Sequence, residues 1–261
     1  MKATLIGLMV AGFGTIVGGF LKGVNPVVLV TNVPAILIVF VGGLGATMAS
    51  FDMKATSGVM KAIMKAIFPP KTTPQSENLT TLVEFANRAR REGLLSLESD
   101  VAELEEPFMK RSLQLAIDGN DPEDVADVMR TDIKAMKARH KVAADWCQAY
   151  GIFAPTFGII GAVIGLIATL SHLDDPSLLG KGISAAFVAT FWGVFIANGL
   201  MLPLSNKLKA MSAQEVQSRE MTMEGVLAIQ SGQSPRVIEE TLLTYLSPAD
   251  ADAVRSEQQA A

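Results

Sequence analysis

Residues 151–170 read GIFAPTFGIIGAVIGLIATL, a run with no charged side chain. A helix of about 20 apolar residues rises about 30 Å, which is the thickness of bilayer hydrocarbon. Upstream, Asp121 is a good N-cap, Pro122 suits the first helical position, and Glu123 and Asp124 suit the first turn. No glycine and no further proline follows before Gly151. The spacing predicts one long helix that begins as a cytoplasmic stalk and continues into the membrane. The stalk part, residues 122–150, would stand roughly 43 Å tall at 1.5 Å per residue.

Three more charge-free runs extend this pattern. Span one is Ala3–Leu21, span two is 34–50, and span four is 183–204, with 151–170 as span three. Span one has a rival reading as a cleaved signal peptide. Its apolar run is longer than a usual h-region, and no small-x-small cleavage site follows it. All but Lys22 and Lys181 of the 22 lysines and arginines lie at the N-terminus, in 51–145 or after 204. The positive-inside rule then places both termini and the 51–145 segment in the cytoplasm. The expected fold is an all-α membrane protein with four transmembrane helices. Residues 1–50 would hold spans one and two, 51–148 a cytoplasmic helical domain, 149–206 spans three and four, and 207–261 the C-terminal helices and tail.

Composition agrees. Of 261 residues 49% are hydrophobic and only 18% charged, against about a quarter charged in soluble domains. A net charge of −4 gives no reason to expect nucleic-acid binding. One cysteine, Cys147, excludes an internal disulfide, and with only His140 and His172 present no zinc spacing exists. No cofactor or metal site is expected. No P-loop is present, so an ATP-driven enzyme is disfavoured.

No Asp, Glu, Lys, Arg or His falls inside any of the four runs. Ion sites at membrane depth normally need an ionisable side chain, so the chain either moves no ions or relies on a partner to carry them. Polar side chains at depth include Thr47, Thr156, Thr169, Ser184, Thr190 and Asn198; each is expected to bond back to the carbonyl four residues earlier. Small-xxx-small pairs, such as Gly14 with Gly18 and Gly161 with Gly165, permit close helix approach within one chain or between copies. Pro155 and Pro203 are read as a pair near the inner surface, serving as static kinks or as hinges.

The cytoplasmic segment is expected to begin with an amphipathic helix over 53–68, its Lys54, Lys61 and Lys65 suited to an anionic lipid surface. A helix over 77–92 would be capped by Gly93. A further helix would run to about Ile117, interrupted at Pro107. The cluster Arg88, Arg90, Arg91, Glu92 and Glu98 is either a solvated face or a docking surface for a charged partner. Helices are expected over 207–230 and 236–246, with a polar, frayed tail after Pro248.

With these features assembled, the sequence resembles the A subunit of the bacterial flagellar-motor stator, the MotA/PomA family, over nearly its whole length. The resemblance rests on Ala89-Arg90-Arg91-Glu92-Gly93-Leu94-Leu95-Ser96-Leu97-Glu98, Asp118-Gly119-Asn120-Asp121, Ala154-Pro155-Thr156-Phe157-Gly158-Ile159-Ile160-Gly161, Leu202-Pro203-Leu204 with Asn206-Lys207-Leu208, and Ala228-Ile229-Gln230-Ser231-Gly232-Gln233-Ser234-Pro235-Arg236-Val237-Ile238. It implies a homo-oligomer, a pentamer, around a dimer of single-span B subunits that each bring one membrane aspartate. It implies a multi-pass protein of the bacterial inner membrane that converts ion flow into torque on the rotor protein FliG. By resemblance, Arg90 and Glu98 face the rotor with Arg91 in support, Pro155 and Pro203 couple ion passage to movement, and Thr190 lies near the partner aspartate.

Sodium-driven relatives tend to carry threonines where this chain has Ala162 and Ala189. Fewer hydroxyls suit a proton, and the resemblance therefore points to proton drive. Thr156 departs from the alanine common after that proline. The alternatives are an ExbB/TolQ-type motor subunit, usually of three spans, and a stand-alone transporter or channel, for which no inverted repeat is visible.

Overall fold

The computed structural model describes residues 3–70, 73–171 and 176–260, and among these the chain is helical without strands. In chain order, α1 is Ala3–Leu21, followed by a short α2, Pro26–Thr31. Then α3, Val33–Ile36, passes through a π-helical turn, Leu37–Gly42, into α4, Gly43–Ala49. Next come α5, Met53–Ile67, and α6, Gln75–Glu92. A 3-10 turn, Leu94–Leu97, leads into α7, Glu98–Glu103, and then α8, Pro107–Ile117. The long α9 runs unbroken over Pro122–Leu170, 49 residues. The last part of the chain is α10, Pro176–Phe195, a second π turn, Ile196–Met201, α11, Leu202–Gln230, α12, Pro235–Leu243, and α13, Pro248–Ala260.

Three helical stretches are long and apolar enough to cross a membrane: Thr4–Leu21, Pro122–Leu170 and Leu178–Gln230. The expected second span appears as a shorter apolar helix, Val33–Ala49. At 17 residues it would rise about 25 Å as a straight α-helix. The sequence reading missed α2, which precedes it. Asn25 accepts from the Val27 N–H at 3.0 Å and Asn32 accepts from the Ala35 N–H at 3.3 Å, so two asparagines cap two consecutive helices that each begin near a proline.

The chain divides into two compact units, residues 1–70 with 140–211 and residues 71–139 with 212–261. In the first unit the core gathers Val39, Val59, Tyr150, Ala154, Ala189 and Ile196. Four side-chain bonds reach backbone carbonyls across it. The Tyr150 hydroxyl donates to the Phe40 carbonyl at 3.1 Å, and the Trp192 indole N–H to that of Leu29 at 2.7 Å. Asn32 donates to Ala185 at 3.3 Å, and Ser205 to Ala144 at 2.8 Å. α5 turns Val59 and Ala66 inward and leaves Lys54, Lys61 and Lys65 exposed beside Met53, Met60, Met64 and Phe68. This is the two-faced pattern expected of an interfacial helix.

The second unit has a conventional apolar core, with Leu79, Leu82, Leu97, Leu113, Met221 and Leu242 fully buried. Arg219 ties its elements together. It lies 4.9 Å over the Phe108 ring, 3.5 Å from Asp132 and 2.9 Å from Glu215. Gly232, at φ +68°, ends α11 in a left-handed cap, with the Gln233 N–H reaching back to the Ala228 carbonyl at 3.1 Å.

The expected frayed tail is a helix instead. In α13, Ala251 and Val254 are buried in the second unit's core, and Arg255 reaches Glu240 on α12 at 3.4 Å. Three residues apart on a helix, two small apolar side chains were enough to dock a stretch that is otherwise polar. Burying a carboxylate at Val254 should cost more than this short helix contributes. Val254→Asp should therefore free α13 and open Arg255 to trypsin, read as early cleavage at that arginine. Digestion at the parent rate would show that the tail is held by other contacts.

Candidate functional site

The first unit brings several candidate residues to one helix contact. On α9, Ala154, Gly158, Gly161 and Gly165 recur at helical spacing and so share a face. On α10, Ala186, Ala189 and Gly193 do the same. A Cβ added at Gly193 would lie 2.7 Å from the Ala154 carbonyl oxygen and 3.0 Å from the Pro155 Cα. One added at Gly158 would lie 2.9 Å from the Ala189 carbonyl oxygen and 3.3 Å from the Thr190 Cα. The two helices touch backbone to backbone here. Pro155 and Thr190 lie on opposite sides of that contact, and half-buried Ala162 is the residue directly after Gly161, about one turn along α9 from Gly158.

The hydroxyls at this depth mostly satisfy themselves. Thr47 and Thr169 donate to the carbonyls of Gly43 and Gly165 at 2.8 and 2.7 Å, and Asn198 to Val194 at 3.1 Å. Thr156, just after the proline, bonds three residues back to Phe153 at 2.6 Å. Thr190 differs. Its hydroxyl sits 3.5 Å from the Ala186 carbonyl, at the limit of a hydrogen bond, and its side chain is half-buried. That oxygen costs little to re-aim.

Pro203 is exposed and lies ten residues past Gly193, so it stands roughly 15 Å along the helix from the level of Pro155. The two prolines are therefore not level. The π turn Ile196–Met201 ends just before Pro203, and the Leu202 N–H bonds to the Ala197 carbonyl, five residues back. A proline ring collides with the carbonyl four residues earlier in an α-helix. A wider turn at that place lets the chain continue into α11 without a break. Sequence periodicity could not find either π turn, since one inserted residue leaves the apolar run intact.

In the second unit, α6 ends at Glu92 and Gly93 adopts φ +86°. The chain reverses there through the 3-10 turn into α7. Arg90 and Arg91 occupy the last turn of α6, and Glu98 the first turn of α7, signs that suit the two helix dipoles. Dipoles explain sign, not exposure. Arg88 is held by Asp100, a partner that the sequence reading did not assign. Arg90, Arg91 and Glu98 are exposed and form no ion pair among the described residues. Glu84, Asn87, Arg88, Arg91 and Glu92 line a shallow groove along this helix.

Comparison with known proteins identifies close relatives. Residues 100–221 match the MotA/TolQ/ExbB proton channel family. Motility protein A of Bacillus subtilis is 42% identical over 250 residues, 95% of this chain and 92% of that protein. Chemotaxis protein PomA of Vibrio alginolyticus is 35% identical over 245 residues, 94% of this chain and 95% of that protein. Among solved structures, the flagellar MotAB stator complex from Bacillus subtilis superimposes with a TM-score of 0.90 at 42% identity, covering 96% of this chain and 98% of that one. The C. jejuni MotAB structure also reaches 0.90, at 33% identity, covering 95% of this chain and 96% of that one.

The backbone contact yields a direct test. Gly193→Ala should force α9 and α10 apart, because its new Cβ meets a carbonyl and not a flexible side chain. Overpacking of this kind costs about 1–3 kcal/mol. The melting temperature of the purified protein should fall for alanine and fall further for Gly193→Val. Melting at the parent temperature would mean that the helices have slack there.

Proposed function

The chain belongs to the motility protein A family, and we propose that it works as the A subunit of an ion-driven flagellar stator in the bacterial inner membrane. It assembles with other copies of itself, as a pentamer, around B-type subunits that bring a membrane aspartate each. Both termini and the second compact unit lie in the cytoplasm, and α5 lies on the inner leaflet. Ion passage at the partner aspartate moves the helices around Pro155 and Thr190, with Pro203 passing the movement on. Arg90, Arg91 and Glu98 push on the rotor protein FliG.

One observation carries the docking role. Arg90, Arg91 and Glu98 stand exposed and without an ion pair among the described residues, while their neighbour Arg88 is taken up by Asp100. Unpaired exposed charges of both signs are available for steering and register with a charged partner. The assignment of ion transfer to the partner is supported by the four apolar runs, which contain no ionisable side chain. Whole-length identity to motility protein A favours this reading over an ExbB/TolQ-type subunit.

Two experiments test the reading. Arg90→Glu and Glu98→Lys should each reduce swimming speed severalfold while membrane levels stay unchanged, consistent with charge steering lost at an interface rim. Parent-like swimming in the double reversal would remove these residues from the torque path. For the ion, swimming speed at fixed pH should not change when external sodium is replaced by potassium. A steep fall on sodium removal would reverse the proton assignment.

A further inference from the structure

Leu95 is 72% exposed, the most exposed large hydrophobic side chain among the described residues of the second unit. Single exposed leucines are common and need no explanation by themselves. The surroundings of this one are unusual. It sits in the 3-10 turn Leu94–Leu97, directly after the left-handed Gly93. Leu97 is fully buried and Leu94 packs partly against the same core. Those two leucines anchor the turn, three residues apart on its inner side. Leu95 points outward, and the turn needs no apolar side chain there. The Ser96 hydroxyl bonds back to the Gly93 carbonyl at 2.7 Å, which fixes the turn from the polar side.

The rim around Leu95 is charged on both sides. Arg90 and Arg91 precede it and Glu98 follows, all exposed and free of ion pairs among the described residues. An exposed apolar side chain with unpaired charges on both sides of it in the chain has the make-up of an interface anchor, where a polar rim excludes water and the apolar centre supplies the affinity. We propose that Leu95 is the apolar anchor of the rotor-docking surface, inserted in a shallow apolar pocket of the partner between an acidic side that meets Arg90 and Arg91 and a basic side that meets Glu98. The inference rests on the rotor-docking reading of those charges. It changes the expected energetics: charges set approach and register, and Leu95 holds the complex for the length of each push.

The test uses full-length chain with its B subunit, fluorescently tagged, in cells that lack their own stator. Leu95→Ser should raise the expression needed for half-maximal occupancy of motors about tenfold, as for loss of a hot-spot side chain. Leu95→Met, which keeps the apolar volume, should restore occupancy to near the parent level. Arg90→Glu is measured beside them. Loss of occupancy with Arg90→Glu but parent-like occupancy with Leu95→Ser would overturn the anchor and leave the docking reading standing. Parent-like occupancy in both would overturn the docking reading itself. The occupant is identified with Leu95→Cys and a thiol cross-linker, since Cys147 is fully buried. Linkage to the rotor protein supports the proposal; linkage to a second copy of this chain would make Leu95 a contact between copies and overturn it.

Discussion

The approach of α9 and α10 at Gly158 and Gly193 governs the arrangement of the first unit. In lipid no hydrophobic force drives two apolar helices together, because the tails around them are equally apolar. Dispersion contacts between backbones have to supply the attraction, and these fall off steeply with distance. Glycine at 158 and 193 lets the Ala154 and Ala189 carbonyls lie where a side chain would otherwise stand. Pro155 and Thr190 are carried into register by that contact. Neither reaches it through its own side chain.

A second constraint follows from the same solvent. A backbone carbonyl left without a donor in hydrocarbon costs several kcal/mol, so each departure from the α register needs a partner. The first unit meets this with side chains from neighbouring helices. Tyr150 adds a second donor, beside the Gly43 N–H, at Phe40 inside the first π turn, and Trp192 donates to Leu29 in the short helix before it. These bonds tie the irregular helices to their neighbours around a contact of such small residues. They also fix Tyr150 and Trp192 in structural roles, while the Thr190 hydroxyl, 3.5 Å from the Ala186 carbonyl, is held more loosely.

Much of this was legible in the sequence. The four apolar runs stand out because charges are so sparse there, and α9 was readable from Asp121 through Leu170 because nothing in it breaks a helix except Pro155. Of the helix contact, Gly161 and Gly165 were visible as a small-xxx-small pair, but Gly158, Gly193 and the facing residues were not, since spacing along one helix does not identify the facing helix. The π turns were hidden, because an added residue in an apolar run changes no pattern. The level of the prolines was misjudged, because it was inferred from chain order, while the depth of each depends on which residues meet across α9 and α10. The buried part of α13 among the described residues is Ala251 and Val254, too few positions for a periodicity to register. Arg88 and Leu95 needed the fold: a reversal at Gly93 decides which charge finds Asp100 and which leucine faces out.

The same helix contact bears on the choice of ion. Ala189 is almost fully buried, and a Cβ built at Gly161 would fall 2.9 Å from the Ala189 Cβ. A threonine at 189 would add two heavy atoms where the helices already meet through glycine. It could not present a hydroxyl without parting α9 from α10 and losing the dispersion contacts that hold them. Sodium needs several oxygen ligands, and this chain has packed one of the places where an extra oxygen would stand. Ala162 is only half-buried, so space is less restrictive there. The close contact beside Pro155 and Thr190 therefore leaves no room for a further hydroxyl at 189, in keeping with the proposed proton drive.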